Sequence, residues 1–147
     1  MLRKAGSLSA KVHFLSAVVI ALAIALALHP MQGIADQVLR AQSGIATHYG
    51  KRLHGRRTAS GETFNQHALV AAHPSWPFGT IVRVTNRRNG QSAKVRIVDR
   101  GPAKKARRRG VIIDLSTKTA KTLGFLKQGK TPVRVEVLKW GKRLKKR

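Results

Sequence analysis

The chain has no cysteine, and only five carboxylates stand among thirty lysines and arginines. Without cysteine there is no disulfide, no thiolate to act as nucleophile or metal ligand, and no thiol for a lipid to be attached to. A domain built from these residues rests on its hydrophobic core alone. Aromatic residues are also few and singly spaced: after Phe14 come Tyr49, Phe64, Trp76, Phe78, Phe125 and Trp140. Binding to nucleic acid by base stacking needs aromatic rings interleaved with cations, and that pattern is missing, so no nucleic-acid partner is expected.

The first third differs from the rest. Arg3, Lys4 and Lys11 precede an apolar run from Leu15 to Leu28, interrupted only by Ser16, and Gly33-Ile34-Ala35 supplies small residues beyond it. A basic lead, an apolar segment and a small-residue exit read as a secretory signal over residues 1–35. The run falls short of the roughly twenty apolar residues a membrane-spanning helix needs. The protein is therefore expected to be exported to the periplasm or cell envelope, without lipidation. Removing the signal takes away three cations and no acid, so the formal charge falls from +25 to +22. Such a charge attracts polyanions at long range, and salt weakens the attraction. Outside the cytoplasm those are anionic envelope polymers.

Beyond the signal we expect a short polar lead at 36–42, one domain over 43–141 and a basic tail at 142–147. Ile45–Tyr49 and Leu69–Ala72 read as short strands, with a Gly-punctuated loop from Lys51 to Asn65 between them. Thr80–Thr85 and Ser92–Val98 flank Asn89-Gly90, a strong hairpin signal because both turn residues tolerate positive φ. Ala93, Val95 and Ile97 alternate with Lys94 and Arg96, giving one buried and one wet face. Ala103–Arg109, with five cations, reads as loop, and Val111–Ile113 as a buried strand. Ser116 is placed to N-cap a helix that runs through Leu123 and stops at Gly124. Pro132–Leu138 is a last strand, and the chain from Lys139 onward is expected to fray. The total is a small, mainly β domain of five or six strands. A closed barrel suits that size because it leaves no open sheet edge.

Three segments carry a family resemblance. They are Gly44–Gly50 with His54–Glu62, then Ala71–Pro74 with Pro77–Thr80, and then Val95–Pro102 with Ile113–Ser116. In this order and spacing they resemble the rare lipoprotein A family, over about Ser43 to Leu138. The chain departs from that family's usual pattern at Thr47-His48, Asn65 and Val98, where members commonly carry Ser-Trp, Asp and Asn. The resemblance implies a six-stranded double-psi β-barrel with one or two short helices. It also implies a lyase, an endolytic lytic transglycosylase that cuts the MurNAc–GlcNAc bonds of peptidoglycan strands and leaves 1,6-anhydromuramyl ends.

Carried over by position, the family's site residues fall on Asp99, Glu62 and His73. Glycosidic cleavage needs a proton for the leaving oxygen and stabilisation of an oxocarbenium-like transition state. Asp99, where a strand breaks into Arg100-Gly101-Pro102, is the expected acid/base. Glu62 is expected to assist it, and His73 to orient one of the acids. Tyr49, Thr58, Asn65 and Arg100 are expected to line the sugar groove. Asp114 reads as structural, bonding backbone or Arg100. His48, His54 and His67 lack a metal-binding spacing, so neither metal nor cofactor is expected. The competing expectation is a wall-binding or expansin-like wall-loosening module that cleaves nothing. A monomer is expected in either case.

Overall fold

The computed structural model describes residues 36–50 and 53–142; the signal expected at 1–35 lies outside them. Six strands close into a barrel: β1 (Arg40–His48), β2 (Val70–Ala72), β3 (Ile81–Asn86), β4 (Ser92–Asp99), β5 (Val111–Leu115) and β6 (Lys130–Lys139). Around the barrel the order is β1-β5-β2-β4-β3-β6, so the chain repeatedly skips to non-adjacent positions. The short helices α1 (Lys104–Arg107) and α2 (Thr117–Thr122) flank β5. The mainly β barrel with two short helices is the architecture that the resemblance implied.

Alternation sets the inside. Val82 and Val84 of β3, Val95 and Ile97 of β4, Ile113 and Leu115 of β5, and Val133, Val135 and Val137 of β6 are all fully buried. Burying each such side chain contributes about 1.5–3 kcal/mol before entropy is counted. Phe125 and Leu123, in and after the turn that ends α2, join the same core. Ser116 caps α2 as expected, accepting from Thr119 N at 3.2 Å, and Gly124 takes a φ of +72° beyond its end.

Three segments differ from the sequence reading. Strand β1 begins at Arg40, inside the lead expected at 36–42, because β6 pairs with it from Arg40↔Val137 to Thr47↔Lys130. Asp36 is held as well, by ion pairs to Arg83 and Lys94 at 2.6 and 2.8 Å. The basic segment read as loop contains the single turn α1, with no acid in its first turn and no buried residue. Lys139 ends β6, and the next two residues do not fray: Gly141 N donates to Thr80 Oγ1 at 3.0 Å. Of the tail, residues 143–147 lie outside the description.

Asn86, at the end of β3, is the main polar tie within the core. Its Nδ2 donates to Leu123 O at 2.8 Å, and its Oδ1 accepts from Thr131 Oγ1 at 2.9 Å and from Arg88 N at 3.0 Å. The residue is 2% exposed, so truncation strands buried polar groups. Asn86→Ala is expected to destabilise the domain by roughly 2–4 kcal/mol, read as a lower urea midpoint. An unchanged midpoint would refute this.

Candidate active site

Two irregularities in strand pairing build the site. Between β2 and β4 the register runs Ala71↔Ile97 and then Ala72↔Asp99, so Val98 has no partner. Between β1 and β5 it runs Ile45↔Val111 and then Ala46↔Ile113, which skips Ile112 before Thr47↔Asp114. Each extra residue is a bulge, a device that re-aims the side chain beyond it. Since Ala72 also pairs with Asp114, one row crosses four neighbouring strands: Thr47 (β1), Asp114 (β5), Ala72 (β2) and Asp99 (β4). The two acids flank a single alanine. Their backbones are two ladder steps apart, roughly 10 Å.

Asp99 is held by three donors. Oδ1 accepts from Ala59 N and from its own neighbour Arg100 N, both at 2.8 Å, and Oδ2 accepts from the Tyr49 hydroxyl at 3.1 Å. Ala59 belongs to the long Gly-rich loop, which the Thr58 hydroxyl staples by bonding Ser60 Oγ at 2.9 Å and Glu62 O at 3.0 Å. Tyr49 packs on Phe64 with ring centroids 4.6 Å apart, within a small cluster of Phe64, Val70 and Val98 outside the main core. Burial, and after it the charge of Asp99, raises the Tyr49 phenol well above its ordinary value. It therefore stays a donor.

Asp114 is half-buried and accepts a hydrogen bond from Thr47 Oγ1. Burial raises its pKa above 3.8, Asp99 adds to the rise, and the Thr47 hydroxyl opposes it. Gly101 accounts for part of that burial. A methyl there would lie 3.0 Å from Asp114 Oδ2 and 3.2 Å from Ala72 Cβ. The chain leaving Asp99 thus crosses Ala72 and presses against the second acid, an approach only glycine permits without moving the carboxyl.

The residues chosen from sequence divide. Asp99, Tyr49 and the loop stapled by Thr58 come together. The Glu62 carboxylate turns instead to Arg96, in a two-pronged pair at 2.5 and 2.8 Å, and that cation lowers its pKa. The His73 ring bonds no acid: its Nδ1 accepts from Ser75 N and Trp76 N at 3.3 and 3.1 Å, and Nε2 lies 3.4 Å from Gln42 Oε1. It is the main chain of His73 that reaches the site, donating to Asp99 O at 3.2 Å. Asn65 accepts from His67 N at 2.8 Å in a local turn. Arg100 donates to Trp76 O at 2.9 Å and sits 3.8 Å over the Phe78 ring, so it fastens the loop after β2 and is not bonded to Asp114, for which backbone or Arg100 was the expected partner. Asp114 itself is the residue that sequence reasoning set aside. Its signal was present, an acid in an apolar strand after Asp99, but only the bulged pairing makes the two neighbours.

Against known proteins, the family described as "Lytic transglycolase" matches residues 41–135. The chain belongs to that family, whose members share the double-psi β-barrel found here. It is 53% identical over 109 residues to a probable endolytic peptidoglycan transglycosylase RlpA of Nostoc sp., covering 73% of this chain and 28% of that protein. An endolytic peptidoglycan transglycosylase RlpA of Campylobacter jejuni is 46% identical over 98 residues, covering 67% of this chain and 34% of the relative. The chain thus spans about a third of the length of these relatives. Among solved structures, an apo expansin of Clavibacter michiganensis superposes with a TM-score of 0.53 at 22% identity, covering 71% of this chain and 53% of the expansin. A Streptomyces papain inhibitor superposes at 0.55 with 20% identity, covering 71% of this chain and all of the inhibitor. At such identities these structures speak for the fold alone.

The buried His73 makes stability depend on pH. Its pKa is pushed down to about 4 by burial first, then by Arg100 and Arg40, whereas an unfolded histidine titrates near 6.5. The unfolded chain therefore binds the extra proton between those values. The stabilising contribution is fully present above pH 6.5 and is lost as pH falls toward 4, amounting to roughly 2–3 kcal/mol. The melting temperature should fall between pH 7 and 4.5, and less steeply in His73→Asn. Parallel curves for the two proteins would contradict this.

Proposed function

We propose that the chain is an endolytic peptidoglycan lytic transglycosylase acting in the cell envelope, with Asp99 and Asp114 as its working pair. The observation that carries the reading is their placement on either side of Ala72, in different hydrogen-bonding environments. Support for the substrate comes from the relatives named endolytic peptidoglycan transglycosylase. Two carboxyl groups in contrasting surroundings divide acid and base work between them.

In this scheme Asp114, whose hold on a proton is strengthened by burial, gives its proton to the glycosidic oxygen as the bond to the muramyl C1 breaks. The Asp99 carboxylate, fixed by Ala59 N, Arg100 N and Tyr49, faces the positive charge that develops on the sugar. The 6-hydroxyl of the same muramyl residue then attacks C1, and its proton passes to Asp114. That step leaves an anhydro end, regenerates the acid and consumes no water. The roles differ from those suggested by sequence, where Asp99 was the proton carrier. Three donors aimed at Asp99 suit a group that stabilises charge, and the raised Asp114 suits one that delivers a proton. Glu62 and His73 support the site through the loops that carry them.

The test is release of anhydro-ended fragments from peptidoglycan stripped of its stem peptides, read by mass spectrometry. Asp114→Asn and Asp99→Asn should each lose about 10²–10⁴-fold in rate, and Tyr49→Phe should lose about tenfold through one missing hydrogen bond. Activity should decline as pH rises through the elevated pKa of Asp114. No anhydro product from the parent, or undiminished release by either Asn variant, would sink the assignment. Binding that persists in a parent which cleaves nothing would favour the wall-binding module.

A further inference from the structure

A second concave surface lies beyond the loop that follows β2. Two hollows of about 500 and 430 Å³ share Arg40, Ser75 and Trp76 and so form one groove. Trp140 and Pro77 stand at one end, Arg107 at the other, and the polar edges of His73 and Gln42 lie between. No acid lines it. All five acids of the chain are described, and neither Arg40 nor Arg107 is an ion-pair partner of any of them among the described residues.

The aromatic end is built, not frayed. Trp140 is 40% exposed and stands edge-on to the buried Trp76, with ring centroids 6.2 Å apart at 81°. Trp76 in turn stacks on His73 at 3.7 Å. Gly141 holds Trp140 there. A Cβ on Gly141 would lie 2.0 Å from Phe78 O and 2.6 Å from Thr80 N, so the chain passes closer to this loop than any other residue allows. A large exposed indole kept in place by such an approach is a preorganised platform, at little ordering cost on binding. An unpaired guanidinium in the adjoining hollow is a forked donor suited to a carboxylate.

We propose that this groove is a second, non-catalytic binding site for an acidic sugar chain, one ring lying on Trp140 and its carboxylate meeting Arg40. The neutral, buried His73 forms part of the wall and adds no charge of its own. The loop of residues 73–78 separates the groove from Asp99, and Arg100 fastens that loop through Trp76 O. Neither Asp99 nor Asp114 lines the groove. The site stands whether or not the acid pair cleaves anything.

Calorimetric titration of the protein with tetragalacturonate at physiological salt tests this, with neutral chitotetraose and polyglycerol phosphate as comparisons. Arg40→Gln and Trp140→Ala should each weaken tetragalacturonate about tenfold or more. Trp140→Phe should stay within about threefold because a ring remains, and Lys127→Gln, an exposed cation away from the groove, should change affinity less than about twofold. Chitotetraose should bind more weakly than tetragalacturonate and be insensitive to Arg40→Gln. Asp99→Asn should bind as the parent does, which separates this proposal from the cleavage assay. Three results would overturn it: no binding by the parent, equal losses in Arg40→Gln and Lys127→Gln, or polyglycerol phosphate binding with the same dependence on Trp140.

Discussion

Strand β2 is three residues long, yet it is bonded on both sides, parallel to β4 and antiparallel to β5. Both neighbours enter its last residue, Ala72, opposite an aspartate. The side chain that separates the two aspartates is only a methyl, on the fully buried Ala72. Gly101 extends the same constraint, because the chain returning from Asp99 passes over Ala72 to reach Asp114. A side chain at Gly101 would press on both Ala72 and the Asp114 carboxyl.

The charge distribution gives this pair its character. Asp36, Glu62 and Glu136 each lie within ion-pairing distance of an arginine or lysine, at the surface. Such pairs contribute little individually because solvent screens them. Asp99 and Asp114 are matched instead by main-chain N–H groups and hydroxyls. In a chain with six times as many cations as acids, neither of these carboxyls is ion-paired to a cation among the described residues. The surplus positive charge then makes a field that acts at longer range.

The loop after β2 links the acid pair to the groove. His73 touches Asp99 through its main chain and Trp76 through its ring. Arg100, next in sequence to Asp99, reaches the carbonyl of Trp76 and the face of Phe78. One packed segment therefore carries the aromatic wall of the groove on one side and the backbone of the acid site on the other. His73 and Arg100, chosen from sequence as groups for orienting or binding substrate, make these contacts within that segment.

Sequence by itself determined the barrel strands, the Asn89-Gly90 hairpin, the Ser116 cap and the place of Asp99, because alternation, turn chemistry and capping act over a few residues and leave a local pattern. It also placed Tyr49 and the Gly-rich loop in the site through the order of their motifs. It missed the start of β1 at Arg40 and the fastening of Gly141, since both depend on partners far along the chain that no local propensity reveals. The partner of Asp99 was decided by tertiary structure alone. Asp114 lies in an apolar strand whose alternation turns it outward, and from that pattern it reads as incidental. Two bulges shift the register of the neighbouring ladders by one residue each, and a one-residue shift changes which side chains meet. Glu62, prominent in its motif, is set beside Arg96 by folding, and in the proposed pair the second acid comes from β5 instead.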